Sequence, residues 1–174
     1  MNVRLTVTTL ALLAAPALVG AQQSAPVASA FRGFESSSAK NLIAAAEAMP
    51  ADKYTFKPTP AQMSFADIMV HLAQGNDYLC GVISGAKAPQ RAPIAASASK
   101  DALLARLKET FAFCDQSLAS LDDTKLSQET NMFGKSRSLA EIEMLTVGDW
   151  ADHYSQFANY MRINGLVPPT AKKM

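Results

Sequence analysis

The stretch from Ser138 to Pro169, SLAEIEMLTVGDWADHYSQFANYMRINGLVPP, limits what this chain can fold into more than any other, because it carries its own start, body and stop. Ser138 with Glu141 three residues on forms a capping box, in which the hydroxyl takes a free amide and the carboxylate reaches back. Gly165 supplies the left-handed turn that closes a helix, and Pro168-Pro169 forbid its resumption. Between them Leu139, Ile142, Leu145, Asp149, His153, Gln156, Tyr160 and Ile163 recur every three or four residues, a single helical stripe. Its ends are apolar, as a core-facing helix requires, but Asp149, His153 and Gln156 occupy its middle. A carboxylate and an imidazole buried without partners cost several kcal/mol. An Asp and a His at i,i+4 find their commonest shared partner in a metal ion. A plain Asp149–His153 ion pair is the competing reading.

The N-terminus reads as an export signal. Met1–Arg4 is short and basic, Leu5–Val19 is apolar without a charge, and Val19-Gly20-Ala21 offers small residues for cleavage after Ala21. The apolar run is shorter than the ~20 residues of a membrane-spanning helix, so no membrane association is expected after cleavage. The expected organisation is a signal peptide at 1–21, a disordered lead at 22–29, one domain at 30–169 and a tail at 170–174. The whole chain has 16 Lys+Arg against 15 Asp+Glu, and losing Arg4 with the signal leaves the two balanced. No basic run remains to track a phosphate backbone, so nucleic acid is not an expected partner. Export also bears on Cys80 and Cys114, which in an oxidising periplasmic or extracellular compartment read as a structural disulfide before a redox pair.

Three further helices precede Ser138. The first is expected from about Ala30 to Met49, with Phe31, Phe34, Leu42 and Ile43 apolar, and Pro50 stops it. Pro58 and Pro60 fix the following loop, whose Tyr54 and Phe56 are expected to tuck against the bundle. The second begins at Ser64, an N-cap with Asp67 in the first turn, and ends at Ser84-Gly85. Phe65, Ile68, Met69, Leu72, Leu79 and Ile83 form its core stripe, and His71 lies on the flank. The third spans about Ser99–Leu121 on Leu103, Leu104, Leu107, Phe111, Cys114 and Leu118. Leu126–Arg137 reads as an irregular connection containing Gly134, and no segment alternates like a strand. Met69, Met144 and Met161 read as core filler.

Four amphipathic helices predict an all-α four-helix bundle. The connection Ala86–Ser97 is long enough to be a crossover, which allows helices two and three to run parallel. Parallel helices would put Cys80 and Cys114 at similar heights, whereas antiparallel ones would separate them by roughly 15 Å. A disulfide between them therefore predicts up-down-down-up.

Three stretches together, AAEAMPADKYTFKPTP, ADIMVHLAQGNDYLCGVISG and DWADHYSQFANYMRINGLVPP, resemble the DinB-like superfamily of four-helix bundles. The likeness runs from about Phe31 to Pro169, and HYxQxxxYxRxNGxVPP resembles the exported branch in particular. The resemblance implies a divalent metal held by three residues, usually histidines, one on helix two and two spaced by four on helix four. Here they fall on His71, Asp149 and His153. Asp149 departs from the usual His. Two imidazoles and a carboxylate still make an open-sided site for zinc, nickel, iron or manganese, the harder carboxylate tilting selection toward iron, manganese or magnesium. Gln156, Asp152, Tyr154, Asn76 and Asp77 are the candidates for orienting the imidazoles.

The family implies metal-dependent hydrolysis of an unidentified small molecule, or transfer and isomerisation that use a low-molecular-weight thiol. Such thiols are cytosolic, so export disfavours that branch. A homodimer is allowed. The alternative is a non-catalytic helical bundle that binds a ligand or partner around a degenerate metal site. No phosphate-binding loop or nucleophile elbow is present.

Overall fold

The computed structural model describes residues 25–171. The expected signal peptide at 1–21 and the start of the expected lead lie outside the described residues, as does the end of the tail. Four long helices dominate: α1 (Pro26–Ala48), α2 (Phe65–Ser84), α3 (Lys100–Leu118) and α4 (Leu139–Ile163). Among the described residues no helix is long and apolar enough to cross a membrane.

Helix starts follow local chemistry. At α2 the Ser64 hydroxyl accepts from the Asp67 amide and Asp67 accepts from the Ser64 amide, a complete capping box. Ser138 and Glu141 do the same at α4, and Ser99 caps α3 through the Ala102 amide. These carboxylates titrate below their usual range, Asp67 first because the Ser64 hydroxyl donates to it and Glu141 first because the Ser138 amide does.

The bundle runs up-down-down-up, with α1 and α2 each packed against both α3 and α4. Lys100 Nζ donates to the carbonyls of Glu47 and Met49, both at 2.7 Å, and Arg32 Nη1 donates to Leu121 O at 2.7 Å, so α1 and α3 are antiparallel. Phe65 stacks on Phe157 with centroids 3.9 Å apart while His71 meets Asp149, so α2 and α4 are antiparallel too. Between α2 and α3, Asn76 pairs with Thr110 and Cys80 with Cys114, both partners advancing together, which makes these helices parallel. Cys80 and Cys114 stand at disulfide distance, Cα–Cα 5.2 Å. The crossover between the helices is pinned by Arg91, whose guanidinium donates to Asp77 (2.9 Å) and Glu109 (3.0 Å).

Trp150 is the packing node. It is buried, lies 5.8 Å from Phe31 of α1 and 6.1 Å from Phe111 of α3, and donates through Nε1 to Asn76 Oδ1 of α2 at 2.8 Å. Tyr54 is buried with its hydroxyl on Ala46 O, and Phe56 packs edge-on against Tyr160, so the Pro-rich loop is tucked as expected.

Four expectations need correction. Residues 26–29, expected in the disordered lead, are helical: α1 begins at Pro26, a residue suited to a first helical position, and the Val27 and Ala28 amides donate to Asp123. The connection before α4 holds an antiparallel hairpin, β1 (Glu129–Met132) and β2 (Lys135–Ser138), around a Phe133-Gly134 turn. The core stripe of α4 is Ile142, Thr146, Trp150, His153, Phe157 and Met161, so Leu145 and Ile163 face outward and Asp149 sits at the stripe's edge. Met144, expected as core filler, is 70% exposed on the same grounds.

Candidate metal centre

His71 and Gly75 lie on the side of α2 that faces α4, and Asp149 and His153, one turn apart, face back. The Nε2 atoms of both histidines lie 3.3 Å from the same Asp149 oxygen, Oδ1. The two rings stand edge to face, centroids 4.7 Å apart, and one donor atom from each of the three residues lies within 4.8 Å of the others. Bonds of about 2.0 Å in a tetrahedron put ligand atoms about 3.3 Å apart. Both histidine–aspartate separations already match that edge, so only the histidine–histidine distance would have to close. Burial is graded: the His153 side chain is 8% exposed, Asp149 27% and His71 47%, so the triad is anchored in the bundle and open on its outer side.

Charge in the site is mutually supported. Burial alone would raise the Asp149 carboxyl, but hydrogen bonds and positive charge from His153 and then His71 outweigh it and hold the group below its usual range. Burial alone would depress His153, yet the Asp149 carboxylate outweighs it and raises the imidazole, with Gln156 and Asp152 adding to the effect. His153 Nδ1 is buried without a hydrogen-bond partner. A metal bound at Nε2 requires a proton on Nδ1, and that proton would have no acceptor here, so the donors fit a metal while its outer support is thin.

The five candidates for orienting the imidazoles are mostly engaged elsewhere. Asn76 binds Trp150 and Thr110, Asp77 binds Arg91, and the Tyr154 hydroxyl meets Thr170 at 2.9 Å. Gln156 donates to Asp152 at 2.8 Å, and this pair alone lies close enough to favour a charged His153. Gly75 was not a candidate from the sequence. A Cβ there would sit 3.8 Å from Asp149 Oδ2, so this glycine is the bare floor beside the carboxylate.

The chain is thus a four-helix bundle in which three nitrogen and oxygen donors from the second and fourth helices converge on an open side, a group that could hold a metal ion. The DinB superfamily pattern matches residues 36–160, and the chain belongs to that superfamily. It is similar in fold to a DinB-like protein from Bacillus subtilis, with a TM-score of 0.67 and 19% identity over 83% of this chain and 99% of that one. A DinB-like protein from Bacillus cereus gives a TM-score of 0.63 and 15% identity over 79% and 94% of the two chains. No curated protein sequence matches the chain.

Proposed function

We propose that this is an exported DinB-like protein that binds one divalent cation through His71, Asp149 and His153 and uses it on a small molecule, as a metal-dependent hydrolase or transferase. The carrying observation is the pair of 3.3 Å histidine–aspartate separations at the open edge of the bundle. Zinc, nickel, iron and manganese all accept such a donor set, and the carboxylate favours the harder of them relative to an all-histidine site. A bound cation would supply Lewis acidity and lower the pKa of a coordinated water. The chain's own residues hold the donors: His153 from the packed interior, Asp149 as the shared hydrogen-bond acceptor, and His71 from the exposed wall. A periplasmic or secreted location is supported by the charge-free Leu5–Val19 run and by the cysteine pair at disulfide distance.

A second reading is a bundle in which both histidines simply donate to Asp149. It is favoured by the unpartnered His153 Nδ1. Elemental analysis of protein prepared without chelator or affinity tag separates the two. Stoichiometric metal in the wild type and none in His153→Ala supports the centre. Absence of metal from the wild type, with no change in melting temperature on adding zinc or manganese, refutes it.

A further inference from the structure

The turn of the hairpin holds a residue that its backbone disfavours. Phe133 has φ 51° and Gly134 φ 77°, the two left-handed positions of a type I′ turn. Asn or Asp followed by Gly suits that turn, and a bulky aromatic in the first position is strained. Burial does not explain Phe133, because the residue is 77% exposed. Its ring instead stacks on Tyr78 of α2, centroids 5.0 Å apart and planes at 26°, and Tyr78 is itself 37% exposed. A strained residue held in the open against a second aromatic points to use rather than to stability.

Tyr78 lies two helical turns beyond His71 on the same face, about 10 Å along the axis. Gly75 lies between them, a bare floor with the Asp149 carboxylate over it. Because α2 and α4 are antiparallel, Leu145, one turn before Asp149, runs alongside this path, and it is 44% exposed. Donors thus stand at one end of this strip of α2 and an aromatic platform at the other.

We propose that this strip is a recognition cleft, and that it takes a small molecule in which a metal-binding head group is joined by a flexible spacer to an aromatic ring. The head reaches the His71–Asp149–His153 donors, the spacer crosses Gly75, and the ring stacks in offset fashion on Tyr78 and Phe133. The proposal rests on the metal-binding reading for its head group and on the aromatic pair for its selectivity.

Two probes separate those parts. Zinc-loaded protein is titrated calorimetrically with phenylhexanohydroxamate and with hexanohydroxamate, which share the head and spacer and differ in the ring. The phenyl compound is expected to bind at least tenfold tighter, and Phe133→Asn is expected to erase that advantage. The same variant installs the Asn-Gly pair that the turn favours, so its melting temperature should hold or rise while binding falls. Equal affinity of the two probes for the wild type, or an advantage surviving in Phe133→Asn, overturns the proposal. In parallel, metal-free protein is titrated with phenylhexanoate and followed by amide chemical shifts. Shifts at Gly75, Tyr78 and Gly134 are expected, and none there overturns the cleft whether or not zinc binds. If zinc fails to bind, the metal reading falls and those shifts still decide the aromatic end. A dimer that dissociates on Phe133→Asn would assign the aromatic pair to a self-contact and overturn the proposal as well.

Discussion

Glu143 should make the stability of this bundle fall as the pH rises, and replacing it with Met should remove part of that fall. Glu143 is 3% exposed, and neither carboxylate oxygen has a hydrogen-bond partner. It lines a cavity of about 270 Å³ between α1 and α4, whose other walls include Phe31, Phe34, Ala140 and Val147. Burial first, and the Asp123 carboxylate second, push its pKa up from 4.5 to about 7. Between those two values the folded protein keeps a proton that the unfolded chain has released. The contribution of Glu143 to stability is therefore greatest below about pH 4.5 and declines until the folded carboxyl itself ionises near 7. At about 1.4 kcal/mol per pH unit, that interval corresponds to a loss on the order of 3 kcal/mol. Glu35 is similarly buried and is raised to about 7 by burial and then by Asp115, so it adds a comparable loss. Urea denaturation of wild type and Glu143→Met at pH 5 and pH 8 measures this. The drop between the two pH values should shrink by about 2 to 3 kcal/mol in the variant, and further when Glu35→Met is added. A drop unchanged by either substitution would refute the assignment of both carboxyls.

Asp149→His should retain the metal and shift preference toward zinc, while Gln156→Ala should weaken binding no more than the 10–100-fold of an outer contact; competition against a metal indicator reads both. Denatured, non-reduced protein should show no free thiol, and breaking the Cys80–Cys114 bridge should cost about 2 to 4 kcal/mol in denaturant. Asn76→Ala strands the buried Trp150 Nε1–H and should cost about 1 to 3 kcal/mol, visible as a lower urea midpoint with metal stoichiometry unchanged. Intact mass of the protein recovered from its native host should match a chain that begins at Gln22; a full-length mass would remove the export reading.

Local chemistry made the helix starts legible, because Ser64, Ser99 and Ser138 act on amides within three residues of themselves. The parallel course of α2 and α3 was legible for a different reason: two cysteines can approach bonding distance in only one of the two orientations. The site residues came from the family likeness, with the i,i+4 spacing of Asp149 and His153 as their only local signature. What escaped depends on contacts far along the chain. Asp123 satisfies the Val27 and Ala28 amides, and no pattern around Pro26 announces that partner. The strands Glu129–Met132 and Lys135–Ser138 are short and polar, so they lack the alternation that marks a half-buried strand. A stripe through Asp149 misses the packed face of α4 by one residue, because the buried Trp150 and Phe157 lie on the face that meets the core. With that rotation Leu145 and Met144 move to the surface and Glu143 becomes a core position.

The Cys80–Cys114 bridge and the His71–Asp149–His153 cluster act on different helix pairs, and their combination sets an order of detachment. The bridge fastens α2 to α3 covalently, and a cation in the cluster would rivet α2 to α4. Helix α1 lies outside both fastenings. It is held by apolar packing, by Lys100 and Arg32 at its two ends, and by the Asp123 cap, and it carries the unpartnered Glu35 against the others. As pH rises and Glu35 ionises, α1 becomes the stave with the least hold on the barrel. Amide exchange should therefore release Pro26–Ala48 first, and the other three helices should let go together, later and only once the rivet is drawn.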